Sequence, residues 1–349
     1  MNETAILIIY TGGTIGMVND PKTGALMPFN FNQISKQVPE LERFGYRLDT
    51  ISFSPLIDSS DIEPAFWVKI AEIIQENYHK YNGFVVLHGT DTMSFSASAL
   101  SYMLQGLQKP VIFTGSQLPI GTLRTDGKEN LITAIEIAAA QQNNQPLVPE
   151  VCIYFENKLF RGNRTTKYNA EHFDAFVSGN YPPLATAGIN IDYNYAYIHY
   201  STHNEELSVR KNFCNDIALL KIFPGISENL VSAILNTKNL KAVILETFGS
   251  GNATTAPWFL KQIEDATQRG IVFLNVTQCI AGSVMMGHYE TSVGLMKAGV
   301  ISGNDITTEA AVTKVMLLLG ENLTEEELQK QLKNSIAGEI TVNKTSKKH

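Results

Sequence analysis

The chain has 349 residues, of which 44% are hydrophobic and 17% charged, a balance typical of a folded globular protein rather than a disordered or fibrous one. This length exceeds what one small core needs, so two domains or one large α/β unit are expected. The formal net charge of −7 and the dispersed lysines and arginines leave no basic face for a phosphate backbone, which argues against nucleic acid as a partner.

Cysteine usage and the amino terminus bear on the compartment. Cys152, Cys214 and Cys279 are odd in number and form no C-x-x-C pair, which favours a reducing compartment and argues against a zinc site. The first residues, MNETAILIIY, lack the basic start of a signal peptide, and no apolar run is long enough for a membrane span. We therefore expect a cytoplasmic protein with no membrane partner, no metal and no cofactor.

Short β-branched runs alternate with helical patterns in the first half of the chain. The predicted strands are AILIIY (5–10), FVVLH (84–88), VIFTG (111–115) and VCIYF (151–155), and the predicted helices are WVKIAEIIQENYHKY (67–81), SASALSYMLQGL (96–107) and NLITAIEIAAAQQ (130–142). Such alternation predicts a parallel sheet, and continuous apolar runs predict strands covered on both faces. Residues 1–190 are therefore expected to form a larger N-terminal domain of the α/β class, with a mainly parallel, doubly wound sheet.

The rhythm changes near residue 189. The following stretch is polar and tyrosine-rich without helical period, and we interpret it as a short strand or hairpin plus a linker, with 191–212 assigned to the linker. Apolar runs then return at 217–223, 242–248 and 271–276, separated by ENLVSAIL and WFLKQIEDATQRG. With helical patterns at 310–319 and 325–332, they predict a smaller C-terminal α/β domain over 213–349.

The first predicted strand runs into Thr11-Gly12-Gly13-Thr14-Ile15-Gly16. The adjacent glycines break the G-x-G-x-x-G spacing of a dinucleotide-binding turn, and no lysine follows to make a Walker A loop. Glycines do let the backbone approach a ligand and leave N–H groups pointing outward. The segment is therefore either an oxyanion-binding turn or a tight strand-to-helix connection.

Two further polar clusters stand near presumed strand ends. Thr90 and Asp91 follow the strand FVVLH, and Asp58, Ser59 and Ser60 stand in the segment SPLIDSSDIEP, just before a helix. Either carboxylate could simply cap a helix. Three polar clusters at the carboxyl ends of strands nevertheless indicate a ligand site, because ligands bind there in open α/β sheets.

Lys167 ends the segment RGNRTTK at 161–167. A lysine beside a hydroxyl and a carboxylate can act as the base that an alcohol nucleophile requires, once it is the neutral amine; otherwise it is an exposed loop charge. His88 precedes Gly89 at a strand end and is predicted to be a buried, hydrogen-bonded ring rather than a base.

At these residues the sequence resembles the L-asparaginase family, and most closely its type I, cytoplasmic branch. The resemblance is carried by TGGTIG (11–16), DSSD (58–61), HGTDTM (88–93), GSQLP (115–119), RGNRTTK (161–167) and ETFGSGNA (246–253), and it covers essentially the whole chain in order. It implies hydrolysis of L-asparagine to L-aspartate and ammonia. It also implies a homodimer or homotetramer. Lesser glutaminase activity is left open, because glutamine differs from asparagine by one methylene, which a pocket discriminates weakly.

The resemblance also implies roles for the matching residues. Thr14 would be the nucleophile that attacks the side-chain amide carbon. Thr90, Lys167 and Asp91 would form a hydroxyl–base–acid set beside it, and Asp91 would also hold the substrate α-ammonium. Which threonine attacks, and whether an ester intermediate forms, stays open at this point.

The resemblance also implies which segment recognises the substrate α-carboxylate, namely DSSD at 58–61. By the same resemblance, Ser59 with Ser60 and Asp58 would bind the α-carboxylate and frame the pocket. Backbone N–H groups near Thr14 and Thr90 would stabilise the tetrahedral oxyanion.

Two positions depart from the family pattern. Many members carry a tyrosine in the loop after TGGTIG, but here that loop, MVNDPKTGALMPFN, has none. Tyr289 in GSVMMGHYETSVG is a candidate catalytic substitute, since some cytoplasmic-type relatives use a tyrosine from this later segment; interface packing is the equally weighted alternative.

The second departure concerns regulation. Some bacterial type I members build an effector asparagine site from an arginine near ETFGSG and from residues like Thr277-Gln278-Cys279, but this chain has Glu246 at the arginine position. A glutamate cannot pair with an effector carboxylate, so weak or absent activation by asparagine is expected. Cys279 is expected to be a buried packing cysteine.

Three rival functions fit parts of the same pattern. The amidase component of an archaeal-type tRNA-dependent amidotransferase shares the TGGT and GTDT signatures but needs an extra N-terminal domain. The first predicted strand starts at residue 5, so we do not expect that domain here. A non-catalytic amino-acid sensor would be expected to lose Thr14, Thr90 or Lys167, and all three are present. A nicotinamide-dependent oxidoreductase is disfavoured by the broken glycine spacing.

Overall fold

The computed structural model describes residues 3–19, 26–28, 38–200, 206–287 and 290–342. The chain divides into two compact units, Met1–Arg210 and Lys211–His349. The division falls inside the segment 191–212, which the sequence predicts to be a linker.

The first unit holds most of the strands. They are β1 (Ala5–Tyr10), β2 (Met17–Asn19), β3 (Leu26–Pro28), β4 (Arg47–Ser52), β5 (Gly83–Leu87), β6 (Leu104–Gln105), β7 (Val111–Thr114), β8 (Gln141–Gln142), β9 (Gln145–Pro146), β10 (Val151–Phe155), β11 (Lys158–Arg161), β12 (Thr166–Lys167), β13 (Phe176–Val177), β14 (Ala185–Ala187), β15 (Ile191–Tyr193) and β16 (Ser208–Val209). The α-helices of this unit are α1 (Pro64–Asn77), α2 (Met93–Met103) and α3 (Gly127–Ala139).

An eight-stranded sheet organises the first unit, in the order β15-β14-β11-β10-β7-β5-β1-β4. The five neighbouring strands β10, β7, β5, β1 and β4 run parallel to one another, with Tyr10 of β1 opposite Leu87 of β5 and Ser52 of β4. The strands β11, β14 and β15 extend the other edge as antiparallel partners. The carboxyl ends of β1, β4 and β5 therefore lie side by side.

Continuous apolar sequence explains why these strands are central. All six residues of β1 are buried. Ile6 and Ile8 share one apolar cluster with Leu131 of α3, whereas Leu7, whose side chain points to the opposite face, is equally inaccessible. A strand buried on both faces needs cover on both, and this confirms the predicted doubly wound, mainly parallel α/β fold.

The second unit contains a smaller, wholly parallel sheet. Its strands are β17 (Ile217–Lys221), β18 (Ala242–Thr247), β19 (Val272–Thr277) and β20 (Ile301–Ser302), paired in that order. Its helices are α4 (Glu228–Leu235), α5 (Pro257–Gln268), α6 (Glu290–Lys297), α7 (Thr308–Gly320) and α8 (Glu325–Lys333). The predicted smaller C-terminal α/β unit is thus confirmed.

Local sequence signals start the helices of the second unit. Ser227 and Thr307 cap α4 and α7 by accepting a hydrogen bond from the backbone three residues on. Thr324 and Glu327 form a reciprocal capping box at the start of α8. No helix in the described part of the chain is both long and apolar enough to cross a membrane.

Candidate active site

Backbone hydrogen bonds bring three loops together at the carboxyl ends of β1, β4 and β5. The N–H and the hydroxyl of Thr11 both donate to Leu87 O, each at 3.0 Å. The N–H of Ile57, in the loop after β4, donates to Thr11 O at 2.9 Å. The three polar clusters identified in the sequence therefore share one edge of the sheet.

Glycines make this contact close. A Cβ on Gly13, whose φ is +86°, would lie 2.6 Å from the backbone N and Cα of Gly89, and a Cβ on Gly89 would collide with Ser59 Oγ. Only glycine permits both approaches. Thr14 and Thr90, each the residue after one of these glycines, are thereby placed on neighbouring loops.

Lys167 joins the second of these threonines to its neighbouring carboxylate. Its Nζ donates to Thr90 Oγ1 at 2.8 Å and to Asp91 Oδ1 at 2.7 Å. The Lys167 side chain is 16% exposed and that of Asp91 is 65% exposed, so the lysine is sheltered while the carboxylate still faces solvent. An alcohol, an amine and a carboxylate in contact can move a proton to or from a reacting group.

The loop that carries Lys167 rests on a buried ion pair. Arg161 Nε lies 2.6 Å from Glu150 Oε2, and both side chains are buried. Thr165 Oγ1 donates to Arg161 O at 2.7 Å, and Lys167 then pairs with Phe176 across the short ladder of β12 and β13. The segment RGNRTTK is thus anchored at both ends.

The DSSD segment is tied to the Thr90 loop. Ser59 is buried, and its carbonyl accepts a hydrogen bond from Thr92 Oγ1 at 2.6 Å. Asp58 caps the one-turn 3-10 helix Ser59–Asp61 by accepting from the N–H and the hydroxyl of Ser60, and these bonds lower the pKa of its carboxyl. The capping alternative holds for Asp58. It does not hold for Asp91, because α2 begins after Thr92 without a side-chain cap.

His88 is the buried ring that the sequence predicted. Its Nε2 lies 2.9 Å from Ser96 Oγ, which also accepts a hydrogen bond from Trp67 Nε1 at 3.0 Å. The carbonyl of Gly89 can only accept, so Nδ1, 2.6 Å from it, carries the proton of the neutral ring, and Nε2 accepts from the Ser96 hydroxyl. Burial lowers the pKa of His88 to about 4, so the ring supports the loop as a neutral group.

Gln117 is a site residue to which the sequence motif GSQLP assigned no role. Its side-chain amide lies between Thr90 Oγ1 and the loop that follows Lys167. The segment GSQLP matches the family pattern, so the sequence marked it as part of the resemblance. The pattern did not indicate what the glutamine contacts.

The remaining expectations have mixed outcomes. Tyr289 lies outside the described residues. Cys279 is exposed, so the prediction of a buried packing cysteine is wrong; β19 ends at Thr277 and the buried pattern ends with it. In the part of the chain that the structure describes, no three His, Cys, Asp or Glu side chains group as a metal site.

The fold is a two-unit α/β architecture, and its first unit brings Thr90, Lys167 and Asp91 into contact at the carboxyl ends of the strands. Residues 5–199 match the family model described as "Asparaginase, N-terminal", and residues 216–332 match "Glutaminase/Asparaginase C-terminal domain". The chain belongs to the asparaginase family, as the sequence motifs indicated, and is an amidohydrolase.

Individual relatives align over nearly the whole chain. L-asparaginase 1 of Escherichia coli is 44% identical over 98% of this chain and 99% of its own. The crystal structure of L-asparaginase I from Vibrio cholerae is 42% identical, with a TM-score of 0.87 over 97% of this chain and 100% of that one. The thermostable L-asparaginase from Thermococcus kodakarensis is 29% identical, with a TM-score of 0.88 over 97% of this chain and 100% of that one.

Proposed function

We propose that this amidohydrolase acts on L-asparagine and releases L-aspartate and ammonia, with Thr14 as the nucleophile. The observation that carries the proposal is that Lys167 Nζ contacts both Thr90 and Asp91. The loop that holds Thr90 and Asp91 also contains Gly89, which packs against Gly13, the residue before Thr14. Two alcohols and one amine supply the nucleophile and the proton transfer that amide hydrolysis needs.

The reaction proceeds in two displacements. Thr14 Oγ1 attacks the side-chain carbonyl carbon, the C–N bond breaks, and the proton of the Thr14 hydroxyl passes to the leaving nitrogen, which departs as ammonia. Water then cleaves the resulting ester, which restores Thr14 and yields aspartate. Backbone N–H groups near Thr14 and Thr90 face the developing oxyanion, and each such donor contributes about 3 to 4 kcal/mol in a site closed to water.

Asp91 links substrate binding to proton transfer. Its exposed carboxylate receives the substrate α-ammonium while Oδ1 still contacts Lys167. When water cleaves the ester, Thr90 passes its proton to the neutral amine of Lys167 and takes one from the attacking water, and the proton on the amine is then returned to the Thr14 oxygen. Ser59, Ser60 and Asp58 frame the pocket for the α-carboxylate.

The finer assignments form part of the same proposal. Tyr289 completes the catalytic set in place of the missing loop tyrosine. The protein is cytoplasmic and assembles as a homodimer or homotetramer, as proposed from the resemblance to type I enzymes. A monomer by light scattering at micromolar concentration would contradict the assembly.

Ammonia release tests the proposed function. Wild type is expected to turn over asparagine faster than glutamine, while Thr14→Ala, Thr90→Val and Lys167→Met each lose at least about 100-fold in kcat. Matched controls are Thr186→Val on β14 and Lys158→Met on β11, both at exposed positions, and both are expected to keep wild-type rates. Binding of asparagine without turnover by the wild type would favour a sensor instead.

A further inference from the structure

Gln117 stands between the Thr90 hydroxyl and the loop after Lys167, on a fixed stretch of backbone. Its N–H donates to Asp126 Oδ2 at 2.9 Å, and the N–H of Leu118 donates to Asp126 Oδ1 at 3.1 Å. Asp126 is itself buried at the start of α3. The position from which the Gln117 side chain projects is therefore set by the helix.

Two carbonyl groups fix which way the Gln117 amide points. Its Nε2 donates to His172 O at 3.0 Å and to Ala170 O at 3.3 Å. A carbonyl only accepts hydrogen bonds, so the amide nitrogen must face this loop and the amide oxygen must face away from it. Oε1 is thereby directed to Thr90 Oγ1, at 3.4 Å.

This orientation determines where the Thr90 proton lies. Oε1 has no proton to give, so the hydroxyl of Thr90 is the donor in that contact. Lys167 Nζ approaches the same oxygen at 2.8 Å as a donor and occupies a lone pair. In the resting site the Thr90 proton therefore points to Gln117, and it must turn toward Lys167 before the amine can accept it.

We propose that Gln117 is a positioning residue for the hydrolytic reaction. It holds the Thr90 hydroxyl in its resting orientation and ties Thr90 to the loop 168–175 behind Lys167. That loop is closed on itself, because Asn169 Oδ1 accepts from the N–H groups of Glu171 and His172 at 2.8 and 3.0 Å. At 3.4 Å the contact with Thr90 is long and weak, so the hydroxyl turns away from it at little cost. The inference rests on the proposed function.

The test compares steady-state asparagine hydrolysis by wild type, Gln117→Met and Gln117→Glu. Gln117→Met removes both contacts at nearly constant volume, so Thr90 is no longer tied to the loop behind Lys167, and this loss of positioning is expected to lower kcat roughly tenfold with KM changed by less than about twofold. Gln117→Glu still accepts from Thr90, but its carboxylate cannot donate to the two carbonyls. Protonation restores a donor, so its kcat relative to wild type is expected to rise from about pH 8 to about pH 5. Gln141→Met, at an exposed position on β8, is the control with unchanged rates.

The outcomes separate this inference from the function on which it rests. A wild type that releases no ammonia from asparagine overturns both. An active wild type with a Gln117→Met variant of equal kcat, or one that raises KM alone, overturns the role of Gln117 and leaves the function standing. If Gln117→Met does not fold, a pH-independent rate ratio for Gln117→Glu overturns the role by itself.

Discussion

Lys167 shows how a single side chain organises this site at the scale of residues. It lies 76 positions from Asp91 in sequence, yet its Nζ meets that carboxylate and the adjacent Thr90 hydroxyl within 2.8 Å. Glycines contribute equally, because the loops that carry Thr14, Ser59 and Thr90 approach more closely than any residue with a Cβ allows. The geometry of the site therefore depends on the lack of a side chain at Gly13 and Gly89 as well as on the contacts of Lys167.

A pair of glycine substitutions tests this close approach. Gly13→Ala adds a methyl group against the backbone of Gly89 at a positive φ, and it is expected to lower the free energy of unfolding by more than about 3 kcal/mol and to abolish activity. Gly45, with φ +63° and ψ +22°, has the left-handed helical conformation that other residues can adopt at a modest cost, and a Cβ there meets nothing within 4 Å. Gly45→Ala is expected to cost only about 1 kcal/mol and to keep full activity. Urea unfolding of both variants measures the difference, and equal losses would contradict the importance of the contact.

At the scale of elements, the strands that the sequence predicts correctly are those with continuous apolar residues. The strand Arg47–Ser52 was missed because its residues are only partly buried at the sheet edge, and Arg47 pairs there with Asp49. The helix predicted at 96–107 ends at Met103, because Leu104–Gln105 pairs instead with Ser208–Val209. In both cases the strand is set by a partner distant in sequence, Ala5–Tyr10 for Arg47–Ser52 and Ser208–Val209 for Leu104–Gln105, and not by a continuous apolar run of its own.

The same limit applies to the site. The sequence predicts Thr14, Thr90 and Lys167 as site residues because motifs mark the loop ends at which they stand, and the structure brings Thr90 and Lys167 into contact. Gln117 could not, because its bonds reach the carbonyl groups of Ala170 and His172, and backbone carbonyls carry no sequence signal. Tyr289 stays a prediction.

The prediction that asparagine does not activate the enzyme rests on Glu246, near the end of β18 in the second unit. The Glu246 carboxylate accepts from Thr308 Oγ1 at 2.6 Å and lies 3.4 Å from Lys221 Nζ. A negative charge at this position disfavours the carboxylate of an effector amino acid. Rate against asparagine concentration is therefore expected to follow a hyperbola, with a Hill coefficient near one. A sigmoidal curve for the wild type would contradict this.

At the scale of the whole molecule, the buried His88 links folding stability to pH. Its folded-state pKa of about 4 lies below the ordinary histidine value, so the unfolded chain binds more protons between about pH 6.5 and pH 4. Acid in that range therefore favours unfolding. Other buried groups titrate as well, so the effect of His88 is isolated by comparison with a variant.

His88→Asn supplies that comparison. The stability advantage of wild type over this variant is expected to shrink by up to about 3 kcal/mol as the pH falls from about 7 to about 4. His79→Asn, at an exposed position, is expected to keep the wild-type pH dependence. Denaturant unfolding at several pH values measures both, and an advantage of His88 that does not change with pH would rule out the neutral buried ring.

The most direct measurement is a double-mutant cycle on kcat/KM for asparagine, with Thr90→Val, Lys167→Met and the two combined. Because the hydroxyl and the amine exchange one proton and act as a unit, the combined variant is expected to be no slower than the worse single variant, within about threefold. Losses that multiply across the cycle would mean that Thr90 and Lys167 work independently, and would contradict the shared proton path on which the proposed mechanism depends.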